Sequence, residues 1–170
     1  MAKNEALNQL KAMIKAAYQK THPNFPEHAI PINTFDGLKP EKREKKRIEK
    51  FLNLTPGCSC NIIENRGQRI DNTTTIESYD GARRTVGSVE WRGSGMRKGI
   101  ADMIAIIKGR AVHIELKRIY NNGRDRQSEY QKQQEAEVRA SGGHYWIVHS
   151  FEDFYHKFTA FTNEINHSSF

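Results

Sequence analysis

Cysteine is scarce: Cys58 and Cys60, one residue apart, are the only two in 170 residues. That spacing is too tight for an ordinary disulfide framework, and no second pair completes a zinc site. Both are expected to be reduced strand cysteines. The seven histidines form no zinc spacing either. No apolar run approaches the roughly 20 residues that a membrane-spanning helix needs. The opening stretch, MAKNEALNQLKAMIKAAYQK, lacks the unbroken apolar centre of a secretory signal. A cytoplasmic protein with no membrane partner is therefore expected. Proline is also sparse, and four of the five prolines crowd into residues 21–40. There is no internal repeat and no low-complexity segment.

Acidic residues are outnumbered. Lys and Arg total 27 against 20 Asp and Glu, a net charge of +7. Such an excess favours polyanionic partners, because neutralising phosphates releases condensed counterions. With 36% hydrophobic residues, a chain of this length can bury the core of a single domain.

Leu7, Leu10, Ile14 and Tyr18 recur at helical spacing, which predicts a first helix over about 4–19. The proline-rich stretch after it reads as an extended connector, closing an N-terminal segment of 1–39 ahead of a core over 40–165. Pro40 suits the first turn of a second helix, EKREKKRIEKFLNL, with Ile48, Phe51 and Leu52 as its buried face. CSCNIIENRG reads as a strand. Residues 66–98 carry Arg66, Arg69, Arg83, Arg84, Arg92, Arg97 and Lys98 among Tyr79 and Trp91, with a short hairpin around Asp80-Gly81. Basic groups mixed with aromatics suit a nucleic-acid backbone groove, or equally a surface flap. A further helix, RQSEYQKQQEAEVRAS, stops at Gly142-Gly143. The strand HYWIVHS follows. A last helix, FEDFYHKFTAF, has Ser150 as cap and Asp153 as its capping-box partner. The order predicts an α/β class with helices layered on a small sheet.

The informative stretch is GIADMIAIIKGRAVHIELK, residues 99–117. If Lys108-Gly109 makes a two-residue turn, Ile107 faces Arg110 and Asp102 lies opposite Glu115. A three-residue turn with a bulge would break that pairing. Opposed like charges repel, so the arrangement gains nothing without a cation between them. Alternation places His113, Glu115 and Lys117 on one face, and Val112, Ile114 and Leu116 on the other. Asp102 as a strand terminator, with Glu115 and Lys117 as a solvated edge pair, is the competing reading. The density of Ile, Val, Met and Ala around them suits central strands better. Two carboxylates, a main-chain carbonyl and water would make an oxygen site for a hard cation, Mg²⁺ or Mn²⁺. Lys117 would orient a water and steady developing negative charge. A histidine placed like His113 is more often a hydrogen-bonded strand residue than a ligand.

Gly99-Ile-Ala-Asp102 followed by Glu115-Leu-Lys117 resembles the G-x-x-D…E-x-K signature of the PD-(D/E)xK nucleases. Ser128-Glu-Tyr-Gln131, Ala140-Ser-Gly-Gly143 and the strand after them are similar to the VRR-NUC branch of that superfamily. The resemblance covers roughly residues 91–154. It implies a restriction-endonuclease-like αβββαβ core with a small mixed sheet. To this the chain adds an N-terminal helix and a basic insertion before the catalytic strand. It also implies Asp102, Glu115 and the Leu116 carbonyl as metal ligands, Lys117 as catalytic lysine, and Gln131 reaching into the site. An acid from an earlier element often joins such sites, and Glu44, Glu49 and Glu64 are the candidates.

The function expected is Mg²⁺-dependent DNA endonuclease activity, structure-specific in the manner of a Holliday-junction resolvase, in phage or bacterial replication and repair. The DNA would be branched or duplex, held by the arginines of the insertion. A homodimer would match the two symmetric cuts of a junction. A non-catalytic DNA-binding protein on the same fold, or a sequence-specific restriction-type enzyme, are the rival readings.

Overall fold

The computed structural model describes residues 5–63, 68–92, 97–120 and 123–167. In chain order the elements are α1 (Glu5–Thr21), a 3-10 turn (Glu27–Ala29), α2 (Pro40–Leu54), β1 (Cys58–Ile62), β2 (Gln68–Asp71), β3 (Thr74–Glu77), β4 (Arg83–Val86) and β5 (Val89–Arg92). There follow β6 (Met103–Ile107), β7 (Arg110–Leu116), β8 (Ile119–Tyr120), β9 (Gly123–Arg124), α3 (Glu129–Ala140), β10 (His144–Val148) and α4 (Phe151–His167). The chain divides into two compact units, one formed by Met1–Ile63 with Gly99–Phe170, the other by Glu64–Lys98.

In the first unit a four-stranded sheet runs β1-β6-β7-β10. β6 runs antiparallel to both of its neighbours, β1 and β7, and β10 lies parallel to β7. The class is α/β, with four helices and a small mixed sheet. The apolar strands β6 and β7 are the two central strands. Lys108 and Gly109 both have positive φ, +50° and +79°, as a two-residue hairpin turn requires. That turn fixes the register: in every pair from Ile107↔Arg110 to Met103↔Ile114 the residue numbers add to 217.

Met103, Ala105, Ile107, Val112, Ile114, Leu116 and Val148 face one side and pack with α1, α2 and α4 in the main core. Phe51 of α2 anchors this layer, with ring centroids 5.1–6.0 Å from Phe151, Phe154, Tyr155 and Phe158 of α4. α3 packs on part of the opposite side, through a small cluster of Ala101, Val138 and Tyr145. That side carries His113, Glu115 and Lys117, as the alternation requires.

The structure differs from the sequence reading at several places. Helix α4 runs on past Phe161 to His167, because Ile165 continues its apolar face against the core. Helix α3 begins at Glu129, three residues later than expected, because Ser128 takes the N-cap and accepts from the Gln131 N–H. The short β8–β9 pair carried no sequence signal. The capping at α4 is close to the expected box: Ser150 Oγ accepts from the Asp153 N–H at 3.1 Å, and Asp153 accepts from the His149 N–H at 2.9 Å. Both cysteines are free, and burial pushes the Cys60 thiol up to about 12.

The second unit is a long β-hairpin. β2 pairs with β5 and β3 with β4, and in both ladders the residue numbers add to 160. One register therefore runs from Gln68↔Arg92 to the turn, which closes with Ser78 N–H donating to the Ala82 carbonyl at 2.8 Å. The residues of β3 and β4 are all exposed, and Tyr79 stands at the tip.

Gly99 ties the segment leading into the β6–β7 hairpin to α3. Its φ is +84°, and a Cβ there would fall 2.4 Å from the Tyr130 carbonyl oxygen, one residue before Gln131. Gly99→Ala would force a side chain into the left-handed region and push the first turn of α3 away. It is expected to cost about 2–3 kcal/mol in urea unfolding. Gly37→Ala, where a Cβ meets nothing within 4 Å, is the control and should stay within about 0.5 kcal/mol.

Candidate active site

The ladder between β6 and β7 stops at Met103↔Ile114, and Asp102 takes over beyond it with its side chain. Asp102 Oδ2 accepts from the Leu116 N–H at 2.9 Å, in the place of a further backbone bond. On its other side, the Asp102 carbonyl accepts from the Ile63 N–H at 2.8 Å. Asp102 is thus held at the sheet's end from both sides, by β7 and by the residue that follows β1. The hairpin register carries Asp102 to the place opposite Glu115.

Glu115 and Lys117 are 3% and 6% exposed, which rules out a solvated edge pair. Lys117 Nζ lies 3.4 Å from Glu115 Oε1 and donates to Gln131 Oε1 at 2.9 Å and the Arg126 carbonyl at 3.3 Å. Asp125, at 3.8 Å, is a more distant and half-exposed partner. The Gln131 amide donates to Glu115 Oε1. Gln131 is at the same time the third residue of the α3 capping box, since its Oε1 accepts from the Ser128 N–H at 2.9 Å. A helix cap thus doubles as a clasp across the acid and the lysine. Among the neighbouring glutamines, Gln127 and Gln133 bond instead to Glu135 and Glu137.

Glu115 Oε2 is buried and has no hydrogen-bond partner among the described residues. Burial first, and the Asp102 charge second, raise the Glu115 carboxyl to about 7, against the pull of Lys117. An orphaned buried carboxylate oxygen beside a second acid fits a hard cation. Asp102 and Glu115 would hold it, joined by the Leu116 carbonyl. Among the described residues no group of three or more His, Cys, Asp or Glu could hold a metal, so main-chain, water or substrate oxygens would fill the remaining positions.

Glu44 and Glu49, two of the three earlier acids expected as candidates, make other contacts. Glu44 accepts from Arg43, Arg47 and the Phe151 N–H, the last at 2.8 Å, and so stitches α2 to the start of α4. Glu49 pairs with Lys46 at 2.8 Å. Glu64 and Arg66 lie outside the described residues. The α2 residues that do reach the site are Lys45 and Glu41, which the sequence reading passed over. Lys45 Nζ sits 2.7 Å from Asp102 Oδ1 and 2.8 Å from Glu41 Oε1, and Arg118 closes on Glu41 at 2.7 Å. The available signal was Glu41 and Lys45 at i, i+4 on one face, but it was lost among the many charges of that helix. His149 was also missed: its Nδ1 lies 2.9 Å from the Lys117 carbonyl oxygen. His113 stacks on Tyr145 with centroids 6.4 Å apart, and burial lowers its pKa.

The hairpin unit is less basic than its arginines suggest, since Arg69, Arg83, Arg84 and Arg92 are matched by Asp71, Glu77, Asp80 and Glu90. Arg83 is paired with Glu77 at 3.0 Å, whereas Arg84 is exposed and opposite Ile76. Arg97 and Lys98 are exposed at its end. No helix of the described residues is long and apolar enough to cross a membrane. Comparison with known proteins finds no matching family model, no matching curated protein and no matching solved structure.

Between pH 4.5 and about 7 an unfolded chain releases the Glu115 proton while the folded chain keeps it, so stability is lost across that window and stays lost above it. The loss is at most about 3 kcal/mol. Glu115→Gln, a neutral isostere, should therefore unfold at higher urea than the wild type at pH 8 and at equal urea at pH 4. A variant no more stable at pH 8 would contradict the burial described here.

Proposed function

We propose that the chain is a divalent-metal-dependent nuclease that hydrolyses phosphodiester bonds in DNA. The observation that supports it best is the buried Glu115–Lys117 pair, clasped by Gln131 and set at the end of the hairpin that carries Asp102. A folding core gains little from an ion pair buried with one oxygen unsatisfied. A reaction site gains a preorganised acid and a fixed ammonium.

Mg²⁺ or Mn²⁺ held by Asp102 and Glu115 would supply the Lewis acidity for attack on phosphorus. Lys117, a compact charge that cannot swing away from its three acceptors, orients the attacking water and steadies negative charge on the phosphate. Gln131 keeps Lys117 and Glu115 in register. The helix-strand-strand-strand-helix-strand order of α2, β1, β6, β7, α3 and β10 agrees with a restriction-endonuclease-like core of the VRR-NUC kind. On this reading the hairpin unit is an insertion before the catalytic strand. Its arginines, Arg66, Arg69, Arg83, Arg84, Arg92 and Arg97, with Lys98, contact the DNA backbone without reading bases, so binding weakens steeply with salt. The net charge of +7 supports a polyanionic substrate. A branched DNA cut by a homodimer, in phage or bacterial replication and repair, is the biological setting we favour, with a cytoplasmic location.

Wild type and Lys117→Ala, incubated with four-way junctions, flaps, duplex and single strands in Mg²⁺ and in chelator, test this. Cleavage is expected from the wild type with Mg²⁺ only, falling about 10²–10³-fold in the variant, the usual effect of removing one electrostatic stabiliser. Retention of DNA without cutting, or cutting that survives Lys117→Ala, would overturn it.

A further inference from the structure

Asp102 has two oxygens and both are engaged: Oδ2 by the Leu116 N–H and Oδ1 by the Lys45 ammonium. Lys45 bridges from Asp102 to Glu41, with its side chain 15% exposed. Asp102, Glu41 and Glu115 are each in contact with a cation, Lys45, Arg118 or Lys117, and Asp125 stands farther from Lys117 at 3.8 Å. A divalent ion entering this ring of charges meets acids already paired with the protein's own side chains.

We propose that the Lys45 ammonium is the resident counter-ion of Asp102, which a divalent ion must displace in order to bind there. This rests on the nuclease reading of the preceding section and concerns how that site loads. The displacement is local. Lys45 and Glu41 are one turn apart on α2, so the ammonium leaves Asp102 while keeping Glu41 as its partner. Two consequences follow from charge alone. Lys45 lowers the intrinsic affinity of the acids for the ion, because like charges compete for Asp102. The ion adds two positive charges to the ring, which a phosphodiester backbone offsets, so ion and DNA favour each other's binding.

The test needs no catalysis. Mn²⁺ binding to the full chain is measured without DNA, by calorimetry or by the spin signal of free Mn²⁺, for wild type, Lys45→Met and Asp102→Asn. Lys45→Met should bind Mn²⁺ at least tenfold more tightly than the wild type, and Asp102→Asn should not bind it. In parallel, acetylation of the wild type is followed by mass spectrometry. Mn²⁺ should raise the labelling rate of Lys45 several-fold and leave exposed Lys50 unchanged. Binding that Asp102→Asn abolishes but Lys45→Met leaves equal or weaker would overturn the role of Lys45 and spare the nuclease reading. No Mn²⁺ binding, or binding indifferent to Asp102→Asn, would remove the nuclease reading and this inference with it. Should Lys45→Met fail to fold, the labelling decides: a Lys45 rate unmoved by bound Mn²⁺ overturns the proposal.

Discussion

The sheet of this protein holds a carboxylate where a hydrocarbon would be more stable. Glu115 is inside, one of its oxygens has no partner among the described residues, and a second acid lies beside it. Taking a charge out of water costs several kcal/mol unless the site returns it in good geometry. Much of the surrounding structure is arranged to meet that requirement. Lys117 lies alongside, the Gln131 amide donates to Glu115, and the first turn of α3 is brought close enough to do so by the absence of a side chain at Gly99.

Asp102 illustrates the same constraint from the other side. It is less buried than Glu115 and is not left alone: the backbone of β7 holds one oxygen and Lys45 of α2 the other. Helix α2 is thereby tied to two places by its charges, through Lys45 to the candidate site and through Glu44 to the start of α4. Its apolar face, with Phe51 among the aromatic rings of α4, fixes the helix firmly enough for those polar contacts to be specific. The acids keep company with cations supplied by the chain itself, so the fold tolerates its like charges with no metal bound.

The parts of this arrangement legible in the sequence are those set by local rules. Lys108-Gly109 dictates a two-residue turn, the turn dictates the register, and alternation then assigns Glu115 and Lys117 to one face. The S-x-x-Q capping box at Ser128 and Gln131 is likewise local, although its second use as a clasp on Glu115 is not. What was illegible depends on contacts between distant segments. Lys45 and Asp102 are 57 residues apart, and nothing in the run of charges along α2 distinguishes Lys45 and Glu41 from Glu44 and Glu49. The hairpin of residues 68–92 was expected only around Asp80-Gly81. Its outer ladder, β2 with β5, keeps the same register beyond a break at Asn72 and Gly87 that interrupts the alternation on which sequence reading relies.

The measurement that bears most directly on these ideas is crystallographic. Crystals of the full chain soaked in Mn²⁺ and recorded at the manganese edge should show an anomalous peak between the Asp102 and Glu115 carboxylates, within about 2.5 Å of an oxygen of each. A peak located elsewhere, or none with the acids still held by Lys45 and Lys117, would mean that the buried pair is a structural ion network and not a metal site.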